Sequence, residues 1–398
     1  METITKTAVK KKRPYLYEVD FMRLFFICGV LFNHSINVVL DAMSTSGWAS
    51  TTLSDVRLMF HYSRNGFLFM SGLVLAMNYY KRHEWGRFYK KRFGGSLGPY
   101  LAWNLIFLIL YTSLGGGSTG QSFALTYLDD IVHGGHYYMY YMLLVMQLYL
   151  IFPGIVWLFQ HSHHHLRLLG ISFVVQLAID AWIKFQLEYL NLAGWPYWFR
   201  HFNINIFVYE FYIIFGVYTA LHYREVSTFI DRHIKVIAAS ALALCLGTVA
   251  YLRWWNMGVL HMSYDFATSP HQPYMQVFDA MMIVTVFWLG QRYAKWRAGS
   301  LPPELAQNVK TGAKISFGMY LNQSFCLYLL GRFLGTLKVN DGTLLAILPV
   351  GYGVVLTLSL SVAYFCYRVA PFGWLIGRPQ WHPWQWLATL RQPIHAEK

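Results

Sequence analysis

Long apolar runs, separated by short polar breaks, dominate this chain of 398 residues. A helix that crosses the apolar part of a bilayer needs about 20 mostly apolar residues, and ten runs approach that length. The segments between the runs are too short for a second soluble domain. The pattern predicts an all-α polytopic integral membrane protein with about ten transmembrane helices. They are expected near residues 19–40, 60–80, 97–114, 137–159, 168–185, 203–221, 236–254, 275–291, 315–336 and 343–367.

The fifth run, at 168–185, is the weakest of the ten because Asp180 and Lys184 interrupt it, so nine or eleven spans stay open. We divide the chain into a basic cytoplasmic flank at 1–18, a membrane domain at 19–367 and a cytoplasmic tail at 368–398. The flank precedes an apolar run that is longer than the core of a signal peptide, so it is expected to remain on the protein.

The composition agrees with a membrane protein. Hydrophobic residues make up 56% of the chain and charged residues 13%, and the mean hydropathy is +0.34, values outside the range of soluble globular proteins. The four cysteines lie within apolar runs and form no C-x-x-C pair, so buried packing is expected rather than a disulfide. The histidine run HSHHH lacks the spacing of a tetrahedral site, so no metal is expected.

Lysine and arginine are distributed unevenly between the loops. If the N-terminus lies in the cytoplasm, 24 of the 32 lysines and arginines fall in cytoplasmic segments, as the positive-inside rule requires. This predicts a multi-pass protein of the cell membrane with a cytoplasmic N-terminus, in contact with anionic membrane lipids. Because the charges are spread over six separated segments, nucleic acid is not expected as a partner.

The first run, VDFMRLFFICGVLFNHS, carries ionisable residues at both ends. Arg23 and His34 are eleven residues apart, almost three helical turns, so they share one face at a vertical distance of about 16 Å. Asp20 lies one turn before Arg23, where an ion pair is expected. Ionisable residues inside a membrane are candidates for function. Two structural explanations stay open: Arg23 reaching to the headgroups, and His34 hydrogen-bonded in the core.

The same run, extended to EVDFMRLFFICGVLFNHS, resembles the first helix of the membrane acyltransferase-3 family, in which ten residues separate an Arg from a His. Four further segments resemble family landmarks in family order: GFLFMSGLVLA, KKRFGGSLGPYLAW, YYMLLVMQLYLIFPG and ISFGMYLNQSF. Within the family, the chain is most similar to the shorter bacterial members that serve extracellular polysaccharides, of the intercellular-adhesin O-succinyltransferase type. It departs from the family at Gly95, where a second Arg is common, and at Asn322 and Gln323, where many members have a His.

The resemblance implies a membrane O-acyltransferase that moves an acetyl or succinyl group from cytoplasmic acyl-CoA to a hydroxyl of an extracellular or cell-wall polysaccharide. His34 is expected to act as a general base or as a transient acyl carrier, since an imidazole exchanges protons near neutral pH. Arg23 is expected to bind CoA phosphates or a developing oxyanion, because a guanidinium is always charged and binds in a bidentate way. Acyl-CoA is the donor substrate, and no bound cofactor is expected.

Further candidates support these two residues. Arg92 matches an arginine of the family motif, and Lys91 beside it and Arg64 in HYSRNGF are also candidates for donor binding. The alternative is that Lys91 and Arg92 only follow the positive-inside rule and that Arg64 is only an anchor at the outer end of its span. Glu210 and Asp279 lie within apolar runs, where a charge is costly, and either is a candidate to orient the histidine of the first run.

The rival hypothesis is a transporter or flippase of a glycan or of a lipid-linked precursor, because many spans with buried charges also suit transport. The chain shows no pair of half-repeats with interrupted helices at matching positions, which many transporters have. The expected partners of an acyltransferase are acyl-CoA, the surface polysaccharide that accepts the acyl group, membrane lipids and the polysaccharide synthesis machinery.

Overall fold

The computed structural model of the chain describes residues 15–44, 47–114, 122–135 and 138–378. Over these ranges the protein is all-α, with short 3-10 turns, one π-helical segment at Tyr251–Val259 and no residue in a strand. The α-helices are α1 Tyr17–Ala42, α2 Trp48–Met59, α3 Tyr62–Tyr79, α4 Trp85–Ser113, α5 Phe123–His133, α6 Tyr140–His161, α7 His165–Phe185, α8 Tyr197–Arg200, α9 Glu210–Leu221, α10 Tyr223–Ala250, α11 Tyr264–Ala267, α12 Pro273–Gly299, α13 Pro303–Leu334 and α14 Asp341–Arg368.

All ten predicted spans coincide with helical segments. Seven helices of the described chain are long and apolar enough to cross a membrane: α1, α4, α6, α7, α10 with its π-helical continuation, α12 and α14. The other three predicted spans correspond to α3, to the helical stretch Ile206–Leu221 and to α13. The all-α membrane fold is therefore confirmed, whereas the count of ten stays a prediction.

Helix α1 lies at the centre of the bundle, where it contacts α3, α12, α13 and α14. Its buried side chains divide between two apolar cores. Met22 and Phe26 pack with residues of α3, α9 and α12, whereas Ile27 and Leu31 pack with residues of α13 and α14. Because the helix is held from two sides, its rotation about its own axis is fixed, and so is the direction of its polar face.

Helices α3 and α9 approach each other through glycine. A methyl group added at Gly216 would collide with the carbonyl oxygen of Phe69 in α3, and one added at Gly72 would collide with the carbonyl oxygen of Ile213 in α9. Small residues allow membrane helices to pack this closely. The contact fixes the position of α3, which carries Arg64 in its first turn.

Two polar segments that the sequence analysis placed in a loop and in the tail pack as part of the helix bundle. Helix α4 begins at Trp85, well before the predicted start at residue 97, so Lys91 and Arg92 lie on a helix. After α14, a 3-10 turn at Phe372–Ile376 folds back against α4, α13 and α14. The first residues of the predicted tail therefore pack on the bundle and bring Arg378 to it.

Candidate active site

A cavity of about 390 Å³ lies inside the bundle, between α1, α3, α4, α6 and α13. This volume is in the range of small-molecule sites. The residues of α1 that line the cavity mark its two ends. Arg23 lies at one end, and His34 lies roughly 16 Å further along the helix by its rise per residue. These are termed the basic end and the histidine end.

Five cations line the basic end: Arg23, Lys91, Arg92, Lys314 and Arg378. Arg92 and Arg378 lie close enough to Arg23 for their charges to interact, and Arg378 Nε donates a hydrogen bond to the Lys314 carbonyl oxygen over 3.2 Å. No Asp or Glu is among the described residues that line the cavity. Asp20 also lies close enough to Arg23 for their charges to interact, but cations outnumber it here, and such an excess creates a field that favours a polyanionic ligand.

Asp20 and Arg23 lie close enough for their charges to attract, but the predicted direct ion pair is not formed. Asp20 Oδ1 instead accepts a hydrogen bond from the hydroxyl of Tyr15 over 2.9 Å, and Asp20 Oδ2 has no hydrogen-bond partner among the described residues. The reason is that Tyr15, just before α1, reaches back to the carboxylate. The guanidinium of Arg23 lines the cavity without a hydrogen bond to that carboxylate.

At the histidine end, the imidazole of His34 lies against the ring of Tyr138. The two ring centroids are 3.4 Å apart and the rings are inclined by 24°. His34 Nδ1 is buried and has no hydrogen-bond partner among the described residues. The ring is thus held by stacking, and Nε2 is the nitrogen that a molecule in the cavity can reach.

Arg64 lines the histidine end, and some of its N–H groups make no hydrogen bond in the described chain. Its Nη1 donates to the hydroxyl of Tyr140 over 3.3 Å, and its guanidinium lies 4.8 Å from the ring centroid of Tyr209. Its Nε and Nη2 are buried and have no hydrogen-bond partner in the described chain. The structure therefore places Arg64 beside the histidines rather than with Arg92 at the basic end.

A buried chain of contacts holds Tyr209 under Arg64. The hydroxyl of Tyr209 donates to the Asn203 carbonyl oxygen over 2.9 Å and lies 3.2 Å from His271 Nε2. His271 Nδ1 in turn lies 3.8 Å from Asp180 Oδ1. Asp180, which weakened the fifth predicted span, thus belongs to the support of Arg64.

Glu210 and Asp279 do not orient His34. Glu210 Oε2 accepts a hydrogen bond from Ser172 over 2.7 Å, and Asp279 Oδ2 accepts one from Asn65 Nδ2 over 2.5 Å. Neither carboxylate lines the cavity. The structure corrects this prediction because the hydrogen bonds that these carboxylates make go to residues outside the cavity.

The positions that depart from the family motif lie in different surroundings. Gly95 lines the cavity one turn after Arg92, so a missing arginine there leaves space at the basic end. Asn322 and Gln323 do not line the cavity; Asn322 Nδ2 donates to the Ser359 carbonyl oxygen over 3.0 Å. The absence of a histidine at these two positions therefore leaves the lining of the cavity unchanged.

Sequence reasoning missed several lining residues. His61 lies three residues before Arg64 in HYSRNGF, and that spacing places both on one helical face, so the signal was available. Tyr138, Lys314 and Arg378 also line the cavity. Their approach depends on contacts between distant segments, for which a single sequence carries no signal.

The described residues contain no group of three or more His, Cys, Asp or Glu side chains that could hold a metal ion. Of the run HSHHH, His165 lies with its Nδ1 3.0 Å from His222 Nε2. His222 Nδ1 lies 2.9 Å from a Glu225 carboxylate oxygen. This pair of histidines lies away from the cavity.

Comparisons with known proteins agree with the family resemblance of the first helix. The acyltransferase-3 family model, described as an acyltransferase domain, matches residues 16–368. Proteins of Staphylococcus aureus strains MSSA476 and MW2, each named "Probable poly-beta-1,6-N-acetyl-D-glucosamine export protein", are 21% identical over 266 residues, which cover 65% of this chain and 71% of theirs. No solved structure matches the chain. Since the family model covers nearly the whole chain, the protein belongs to the acyltransferase-3 family and is a multi-pass membrane acyltransferase.

Proposed function

We propose that the protein is an O-acyltransferase of the cell membrane that moves an acetyl or succinyl group from cytoplasmic acyl-CoA to a hydroxyl of an extracellular or cell-wall polysaccharide. The observation that carries the proposal is the cavity, which joins five cations at one end to two histidines and Arg64 at the other. In this proposal the basic end faces the cytoplasm, in agreement with the bias of lysine and arginine.

The charges and the length of the cavity suit CoA. Arg23, Lys91 and Arg92 would bind its phosphates through charge-assisted hydrogen bonds. The arm between the CoA pyrophosphate and the thioester sulfur has the length of roughly four extended residues, about 14 Å. Arg23 and His34 are roughly 16 Å apart along α1. A donor held by its phosphates at the basic end therefore presents its thioester near His34.

The histidine end suits acyl transfer. Attack of a hydroxyl on the thioester places negative charge on the carbonyl oxygen, and preorganised donors that bind this charge lower the barrier. The guanidinium of Arg64, which lines the cavity, would supply such donors. His34 acts in the same place as general base or transient acyl carrier.

The name of the Staphylococcus aureus relatives supports a surface polysaccharide as the acceptor and also favours a second candidate function, export of the glycan. The lining of the cavity supports acyl transfer over export. A described lining that contains six cations and no Asp or Glu suits the polyanionic CoA better than a neutral N-acetylglucosamine polymer. Acyl transfer is therefore our first proposal.

Deletion of the gene tests the proposal. Ester groups on the surface polysaccharide are measured by mass spectrometry in wild-type, deletion and complemented strains, together with the amount of polysaccharide at the surface. The proposal expects the deletion to remove one ester and complementation to restore it. Unchanged acylation of every surface glycan, with loss of surface polysaccharide, would establish export instead.

A pair of arginines tests the donor site. Arg378→Gln removes a lining cation, whereas Arg368→Gln removes an exposed arginine at the end of α14 that does not line the cavity. We expect the first change to raise the KM for acyl-CoA about tenfold, the effect of one charge-assisted hydrogen bond. The second change should leave the KM unaltered. Equal KM values for both variants would exclude Arg378 from the donor site.

A further inference from the structure

We propose that His61 is a second catalytic histidine, which accepts the proton of the attacking hydroxyl. The inference rests on the proposed function and assigns a chemical step to a residue that the family motif of an Arg, ten residues and a His does not include. His61 immediately precedes α3, and its side chain lines the cavity together with His34 and Arg64.

The hydrogen bonding of His61 determines which ring nitrogen carries the hydrogen. His61 Nδ1 lies 3.0 Å from the Arg57 carbonyl oxygen, and a carbonyl oxygen can only accept. The same oxygen also accepts hydrogen bonds from Asn33 Nδ2 over 2.9 Å and from the Phe60 backbone N–H over 3.2 Å. Nδ1 is therefore the donor, and the free lone pair of the neutral ring lies on Nε2, on the far side of the imidazole.

His34 lacks such an orienting contact. Its Nδ1 is buried without a partner among the described residues, and its ring is held by stacking on Tyr138. A general base works best when a second group fixes its tautomer and its direction. Of the two histidines that line the cavity, His61 meets that condition.

A contact between Nδ1 and a preceding carbonyl oxygen does not by itself make a histidine a catalytic base. His161 Nδ1 lies 2.9 Å from the Trp157 carbonyl oxygen, the same four-residue contact, but His161 is exposed and does not line the cavity. His61 differs because its ring faces the space in which the acyl group would be transferred. His161 therefore provides a matched control.

Contacts with neighbouring residues place His61 close to His34 and Arg64. Asn33, the neighbour of His34 in α1, places its Nδ2 3.5 Å from His61 Nδ1. Arg64 follows His61 by three residues, so the two side chains lie on one face. His34, His61 and Arg64 thus surround the histidine end from two helices.

In the proposed step, the hydroxyl oxygen of the acceptor bonds to the acyl carbonyl carbon. The bond from that carbon to its carrier, the CoA sulfur or the His34 nitrogen, breaks and leaves its electron pair on the carrier. The hydroxyl proton passes to His61 Nε2 and is then released to the departing thiolate or to water. No further reactant is needed.

The test uses purified full-length protein in liposomes, with labelled acyl-CoA and an oligosaccharide acceptor. We expect His61→Ala to lower acyl transfer by about 10²–10⁴-fold, the contribution of a positioned base, and added imidazole to restore part of the lost rate. Imidazole can enter the space that the missing ring leaves in the cavity. His161→Ala should transfer at the wild-type rate with or without imidazole.

His61→Gln keeps an amide that can donate to the Arg57 carbonyl oxygen but has no base, so it serves if the alanine variant does not fold. It should show the same loss at an unchanged melting temperature. A wild-type rate in either His61 variant, or a loss that imidazole does not restore and that accompanies a lowered melting temperature, would overturn the proposal for His61 alone. Wild-type protein that transfers no acyl group would overturn the proposed function and this inference with it.

Discussion

Replacing His34 tests the histidine end directly, because the His34 ring makes two contributions that can be removed separately. It stacks on Tyr138 at 3.4 Å, and it brings a ring nitrogen to the cavity. His34→Phe keeps a stacking ring without a nitrogen, whereas His34→Asn keeps a hydrogen-bonding group without a ring. We expect both variants to insert and fold and both to lose acyl transfer.

The two contributions of the ring differ in size. An aromatic pair adds about 0.5–1.5 kcal/mol beyond its buried area, and about 1.36 kcal/mol corresponds to a factor of ten in rate. Loss of the stack alone should therefore slow the reaction by about tenfold at most, whereas loss of a ring nitrogen that takes part in the chemistry costs about 10²–10⁴-fold. Because His34 Nδ1 has no partner among the described residues, neither variant removes a hydrogen bond from it; His34→Phe should change stability little, and His34→Asn should lose only about 0.5–1.5 kcal/mol with the stack.

The assay compares the ester content of the surface polysaccharide, by mass spectrometry, in strains that express each variant at equal level. Tyr138→Leu is the matched control, since it removes the stack and keeps the nitrogen of His34. It should retain at least about a tenth of the wild-type activity. If His34→Phe retains as much activity as Tyr138→Leu, the ring nitrogen does no chemistry and His34 is a packing residue.

Arg23→Lys keeps the charge at the basic end but loses the bidentate fork, so acyl transfer should collapse while the protein still inserts; a normal KM for acyl-CoA would reduce Arg23 to a membrane anchor. Tyr209→Leu removes the ring that lies 4.8 Å from Arg64 and should lower acyl transfer by about 2- to 30-fold, the range of a cation–π contact. Tyr209→Phe, which keeps the ring, should lower it less, and equal rates in these two variants would exclude the contact. Reporter fusions at residue 268 should be external and those at residues 88 and 304 internal; an internal signal at residue 268 would invalidate the orientation of the cavity.

The helical framework could be predicted because it depends on local patterns. Apolar runs of the right length located helices near all ten predicted spans. The periodicity of one helix placed Arg23 and His34 on a common face, and both line one cavity. Positions on a single helix are related by its geometry alone, so no knowledge of neighbouring helices was needed.

Partners between helices could not be predicted. The sequence offered Arg23 as the partner of Asp20 by helical spacing, but Tyr15, from outside the helix, bonds to the carboxylate instead. It likewise offered two carboxylates for His34, whereas the ring is stacked on Tyr138 from a distant segment. Such contacts are fixed by how helices pack, and a single sequence has no periodicity that reports it.

The absence of acidic residues from the described lining of the cavity explains why its histidines are held without carboxylates. A carboxylate that oriented His34 or His61 would lie in a space lined by six cations and would compete with the CoA phosphates for them. A backbone carbonyl oxygen fixes the tautomer of His61 without adding a negative charge. Stacking on Tyr138 holds His34 in the same charge-free way. A site that binds a polyanion and abstracts a proton a few turns away therefore benefits from neutral supports for its bases.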